Sequence, residues 1–150
     1  MTRPPERPNE LPVDPGLGGG PGLRTLGAIG AGGALGGLAR YTAVVLTPAV
    51  AGVFPWTTLT VNLSGSFALG VLVVVLLERF PSSRYLRPFL ATGLLGAYTT
   101  FSTLAIETDL LVRQGRTAVA ALYLFLSLAG GVAAAWAGMR LGRTAGSRGR

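Results

Sequence analysis

The chain has 150 residues, 49% of them hydrophobic and only 13% charged, with a mean hydropathy of +0.52; an ordinary soluble domain carries nearly twice that charge. It has no cysteine and no histidine, which excludes disulfides, thiolate and imidazole chemistry and the usual zinc or copper ligands. Its basic excess is entirely arginine, 13 against 6 acids, and these arginines fall mostly between apolar runs, where they set membrane topology rather than bind nucleic acid.

Residues 1–23 hold Pro4, Pro5, Pro8, Pro12, Pro15 and Pro21 among many glycines, a composition that predicts a disordered tail. It lacks the ordering of a secretory signal, because the first apolar run begins only after Arg24. Ala49-Val50-Ala51 resembles a small-residue cleavage site. The preceding run is too long for a signal and contains Arg40, so it reads as a retained helix.

The first span is predicted over Leu26–Leu46. Gly32/Gly36 and Gly33/Gly37 form small-xxx-small pairs that let helix backbones approach in lipid. The glycines do not make a dinucleotide fingerprint, since no strand precedes them and no acid follows about 20 positions on. Arg40 and Tyr41 read as interface anchors, or Arg40 as a charge drawing anions to a vestibule. Residues 47–56 form a loop, with Trp56 at headgroup level.

The second span is predicted over Thr57–Leu77, and Asn62 is its informative residue. A lone amide at lipid depth is costly unless paired. It reads either as glue between helices or as an N–H donor facing an anion. Residues 78–87 form a charged turn.

The third span is predicted over Pro88–Val112. It carries the polar run Gly93-Leu94-Leu95-Gly96-Ala97-Tyr98-Thr99-Thr100-Phe101-Ser102-Thr103-Leu104-Ala105-Ile106-Glu107. Gly96 and the β-branched Thr99 and Thr100 weaken helix. A broken helix exposes carbonyls and N–H groups able to bind ions. Glu107 and Asp109 can pair with Arg113 or Arg116, and Gln114-Gly115 is a turn. The fourth span is predicted over Thr117–Met139, with Tyr123, Ser127 and Gly131 on one face and Tyr123 also readable as a belt aromatic. Residues 24–142 therefore form one four-helix membrane domain, and 143–150 a basic tail.

The polar groups at membrane depth are hydroxyls, one amide and phenyl rings. Asn62, Ser102, Thr103, Tyr123 and Ser127 offer donors without net charge. Conduction needs binding strong enough to replace hydration yet weak enough to release, and neutral donors suit a small, strongly hydrated anion. The electropositive edge of Phe101 can face such an anion. There is no nucleophile–base pair, no paired carboxylates and no metal-ligand cluster, so no enzyme is expected.

Three stretches carry a family resemblance: Gly-Gly-Leu-Ala-Arg-Tyr at 36–41, Thr-Leu-Thr-Val-Asn-Leu-Ser-Gly-Ser-Phe at 58–67, and Gly-Leu-Leu-Gly-Ala-Tyr-Thr-Thr-Phe-Ser-Thr at 93–103. In order and spacing they resemble the signatures of the Fluc/CrcB fluoride channels. The resemblance implies an all-α integral membrane subunit of four helices, the third broken, assembling as an antiparallel dimer with two pores. It implies a fluoride pathway at Asn62, Phe101, Ser102, Thr103, Tyr123 and Ser127, with Leu104 where a second pore phenylalanine is usual. Gly131 stands where a further serine is usual. Backbone carbonyls of Gly96 and Thr99 are implied to hold a structural, untransported Na⁺ at the dimer interface. Arg40 and Glu107 match charged positions with vestibule or structural roles.

Four spans put the amino tail, the 78–87 turn and the carboxyl tail on one side, together with Arg3, Arg7, Arg24, Arg79, Arg84, Arg87, Arg140, Arg143, Arg148 and Arg150. Only Arg40, Arg113 and Arg116 fall on the other. This bias predicts both termini in the cytoplasm of a cell that carries the chain in its plasma membrane. A fixed orientation predicts pairing with an oppositely oriented paralogous subunit rather than only with itself. The expected function is passive fluoride export that reduces its toxicity. The rivals are a non-conducting or obligate heterodimer partner, and a small proton-coupled multidrug exporter, which would need a carboxylate that the first span lacks.

Overall fold

The computed structural model describes residues 22–48, 53–79 and 84–147. Residues 1–21 of the expected tail at 1–23, the 49–51 tripeptide, residues 80–83 of the charged turn and residues 148–150 lie outside these. Among the described residues the fold is all-helical. Helix α1 spans Leu23–Leu46 and helix α2 spans Trp56–Arg79. The third span runs from Pro88 to Arg113 and ends in helix α3, Phe101–Arg113. Helix α4 spans Thr117–Ser147. Four helical stretches are long and apolar enough to cross a membrane. Helical winding satisfies most of their backbone polar groups, as lipid requires.

Helix α4 continues well past the expected end at Met139. Its 31 residues make about 46 Å at 1.5 Å per residue. Arginine is a good helix former, so Arg140 and Arg143 extend the helix instead of ending it. The Arg140 guanidinium stacks on the Trp136 ring, 4.4 Å from its centroid.

The helices pack as two pairs, α2 along α4 and α1 along the first half of the third span. Glycine makes both contacts close. A Cβ on Gly36 would overlap the Leu94 carbonyl oxygen, and one on Gly93 would meet the Ile29 carbonyl oxygen at 2.5 Å. In the other pair, a Cβ on Gly70 would overlap the Ala135 carbonyl and one on Gly138 the Phe67 carbonyl. Of the two glycine pairs expected in the first span, Gly32/Gly36 is the buried one, and Gly37 meets nothing. Between α2, α3 and α4 lies an apolar cluster of Leu59, Leu104, Leu111, Ala120 and Tyr123. The Phe54 ring meets Tyr123 edge-on at 5.5 Å.

Candidate functional site

The third span changes winding twice before α3. Pro88–Leu95 is π-helical, and the Gly96 N–H reaches the Ala91 carbonyl five residues back. One α-helical turn, Gly96–Tyr98, follows. Thr99 and Thr100 then adopt extended dihedrals, φ −75°, ψ 157° and φ −145°, ψ 123°. Threonine caps both sides. Thr99 Oγ1 donates to the Leu95 carbonyl at 3.0 Å, and Thr100 Oγ1 accepts the Thr103 N–H at 3.2 Å as N-cap of α3. The turn ending at Tyr98 has no helical residue ahead to donate to its last carbonyls.

Asn62 repairs this interruption from α2. Its Nδ2 donates to the Thr100 carbonyl at 3.0 Å, and its Oδ1 accepts the Thr100 N–H at 2.9 Å. One N–H of the amide remains beyond this clamp. Asn62 thus joins two spans, the first of its two sequence readings. From α1, Arg40 Nη1 approaches the Thr99 carbonyl at 3.5 Å.

An open groove of about 300 Å³ runs along the interruption, lined by Asn62, Ser66, Gly96, Thr99, Thr100, Phe101 and apolar neighbours. No ionisable side chain lines it. Phe101 is 77% exposed, whereas Leu104 is 4% exposed and belongs to the apolar cluster. Thr103 accepts a hydrogen bond from Thr100 Oγ1 at 3.0 Å, and Ser102 Oγ lies 3.3 Å from the same oxygen.

The other sequence-chosen residues gather beneath α3. Glu107 is bonded by two hydroxyls: Thr58 Oγ1 donates to Oε1 at 2.9 Å, and the Tyr123 hydroxyl donates to Oε2 at 2.6 Å. This corrects its expected pairing with Arg113 or Arg116. It is Asp109 that pairs, with Arg113 Nε at 2.6 Å. Tyr123 is fully buried and so is not a belt aromatic. Ser127 is 9% exposed, and its Oγ has no hydrogen-bond partner. Sequence reasoning missed Thr58, Thr100 as the clamped residue, and Ser66. Thr58 and Ser66 stand one turn before and after Asn62, a spacing that places all three on one face of α2.

The Gly96 and Thr99 carbonyls, at the end of a helical turn, offer hard oxygen ligands of the kind that suit a small alkali cation. Among the described residues no cluster of His, Cys, Asp or Glu offers a metal site. Two carbonyls from one chain supply only part of a coordination shell, and the Arg40 guanidinium already lends positive charge to one of them.

Comparison with known proteins covers the same spans. The model of the CrcB-like protein family, Camphor Resistance (CrcB), matches residues 27–139. Fluoride-specific ion channel FluC 3 of Streptomyces avermitilis is 49% identical over 120 residues, 80% of this chain and 59% of that protein. Fluoride-specific ion channel FluC of Agrobacterium fabrum is 41% identical over 116 residues, 77% of this chain and 93% of its own. FluC 1 of Mycobacterium bovis is 45% identical over 111 residues, 74% and 84% of the two chains. The match spans about three-fifths of the Streptomyces avermitilis relatives, FluC 3 and FluC 2. With most of each of the four spans and the Asn62–Thr100 clamp inside the matched residues, the chain belongs to the CrcB family.

Proposed function

We propose that the chain is a subunit of a fluoride-specific ion channel that passes fluoride out of the cytoplasm, down its electrochemical gradient, and so lowers its toxicity. The observation that carries this reading is the groove at Thr99–Thr100, which is lined by an amide, hydroxyls and a phenyl ring but by no ionisable side chain. Neutral donors replace the hydration of a small anion and still release it, the balance that conduction requires. Asn62 is the fixed donor, because its clamp on Thr100 sets its orientation. Phe101 offers its ring edge from the exposed side, and Ser102 and Thr103 add hydroxyls. Tyr123 and Ser127 continue the polar line on α4. The names of the relatives describe ion channels, and no catalytic step is assigned to this chain.

The subunit works as an antiparallel dimer in this reading. The 77% exposure of Phe101, with Phe125 at 65%, supports a face completed by a second subunit. The Gly96 and Thr99 carbonyls of two subunits would hold a structural Na⁺, which supplies charge to the carbonyl ends at the interface and is not transported. Arginine bias supports both termini in the cytoplasm and an oppositely oriented paralogous partner. The buried Leu104 favours a second reading, an obligate or non-conducting partner subunit.

Fluoride efflux from liposomes, with and without a paralogous partner, tests these readings. Efflux from the chain alone supports a homodimer, and efflux only with the partner supports an obligate pair. Chloride flux as fast as fluoride, or proton-coupled exchange of a cationic drug, would overturn the channel assignment. Reporter fusions at the carboxyl terminus test orientation: equal signal from both membrane faces would remove the fixed topology.

A further inference from the structure

Most hydroxyls in these spans are committed to a neighbour. Thr42, Thr60, Thr99 and Thr108 donate to the carbonyl one turn back, and Ser64 to that of Val61. Thr58 serves Glu107, and Thr100, Ser102 and Thr103 contact one another. Ser127 and Ser66 differ. Ser127 Oγ is buried and unpartnered. The Ser66 hydroxyl meets no donor or acceptor among the described residues. Serine in an apolar helix has an easy alternative, the i−4 carbonyl, and neither residue takes it.

Ser66 lies beside α4 about one turn beyond Ser127. Ser127 is one turn before Gly131 on α4, and a Cβ built on Gly131 would lie 3.6 Å from Ser66 Oγ across the α2–α4 seam. Ser66 is also one turn beyond Asn62 and lines the same groove. The face that carries Tyr123 and Ser127 thus loses its side chain at Gly131, and at that level the hydroxyl comes from α2.

We infer that Ser66 is an anion-contacting residue of the pathway, supplying across the seam the hydroxyl that α4 lacks at Gly131. This rests on the channel reading above. With Asn62 and Ser127 it donates an O–H to fluoride as the ion sheds water. Gly131 leaves the space in which that hydroxyl is reachable.

The test moves the hydroxyl from one helix to the other and measures fluoride efflux from liposomes holding the full-length chain with its partner. Ser66→Ala should lower the rate about three- to tenfold, the equivalent of one ordinary hydrogen bond. Ser66→Ala with Gly131→Ser should recover most of it, and Ser66→Ala with Gly131→Ala should not. The added Cβ sits at an ordinary contact distance, and thermal unfolding of each variant in detergent separates misfolding from lost conduction. A Ser66→Ala rate equal to the unaltered chain, or equal recovery by Gly131→Ala, overturns the assignment while the channel reading stands. If the unaltered chain conducts no fluoride with any partner, both fall.

Discussion

The side-chain amide of Asn62 binds both backbone polar atoms of Thr100, the carbonyl at 3.0 Å and the N–H at 2.9 Å. A single α2 residue therefore closes the interruption in the third span, 38 positions away in sequence. Asn62→Asp would set a carboxylate oxygen against the Thr100 carbonyl and beside the anion. Fluoride efflux should be abolished. Asn62→Leu keeps the bulk but leaves two backbone groups unpaired at lipid depth, at about 1–3 kcal/mol each. Its melting temperature in detergent should fall along with its flux. Flux near that of the unaltered chain in either variant would remove Asn62 from the pathway.

Phe101 and Leu104, three residues apart on α3, should respond oppositely to truncation. Leu104 is in the apolar cluster, so Leu104→Ala should destabilise the subunit by about 2–5 kcal/mol. Phe101 is 77% exposed, so Phe101→Ala should leave subunit unfolding nearly unchanged while fluoride efflux collapses. Denaturant titration and efflux on the same preparations check both halves.

The close contact of α1 with the third span gives a neighbouring pair of controls. Gly36→Ala forces a methyl onto the Leu94 carbonyl, an overpacking that costs about 1–3 kcal/mol. Gly37→Ala meets nothing in the subunit and should be neutral or stabilising by up to about 1 kcal/mol through helix propensity. Thermal unfolding in detergent compares them. A large loss at Gly37 would place that face against a partner subunit.

Glu107 and Tyr123 are joined at 2.6 Å, so their substitutions should not add. Tyr123→Phe deprives Oε2 of its donor, and Glu107→Gln puts an amide where two hydroxyls both donate. A double-mutant cycle on unfolding should show a coupling of about 1–2 kcal/mol, the range for a hydrogen bond to a charged group within a membrane protein. A coupling near zero would mean that the two side chains do not meet in the folded protein.

Spans and important residues were more legible in the sequence than partners. Four apolar runs sufficed for the membrane helices, and Asn62 stood out because an amide at lipid depth needs a reason. Its partner was not legible, since it is a backbone segment rather than a side chain. The partners of Glu107 are not legible for a related reason: Arg113 and Arg116 are close in sequence, while Thr58 and Tyr123 arrive from other helices. The closeness at Gly70 and Gly138 is not legible in the sequence, because it appears only when α2 and α4 face each other. The arginines after Met139 look like a tail in sequence, whereas Arg140 stacks on Trp136 and the helix runs on to Ser147.

That overrun makes α4 a gauge of depth. At about 46 Å it exceeds the roughly 30 Å of a hydrocarbon layer, with Arg140 and Arg143 close to its end. A thicker bilayer can rise about one further turn along α4 before it meets the stacked guanidinium at Arg140. Acyl-chain length should therefore matter little to this subunit below that level, and abruptly above it.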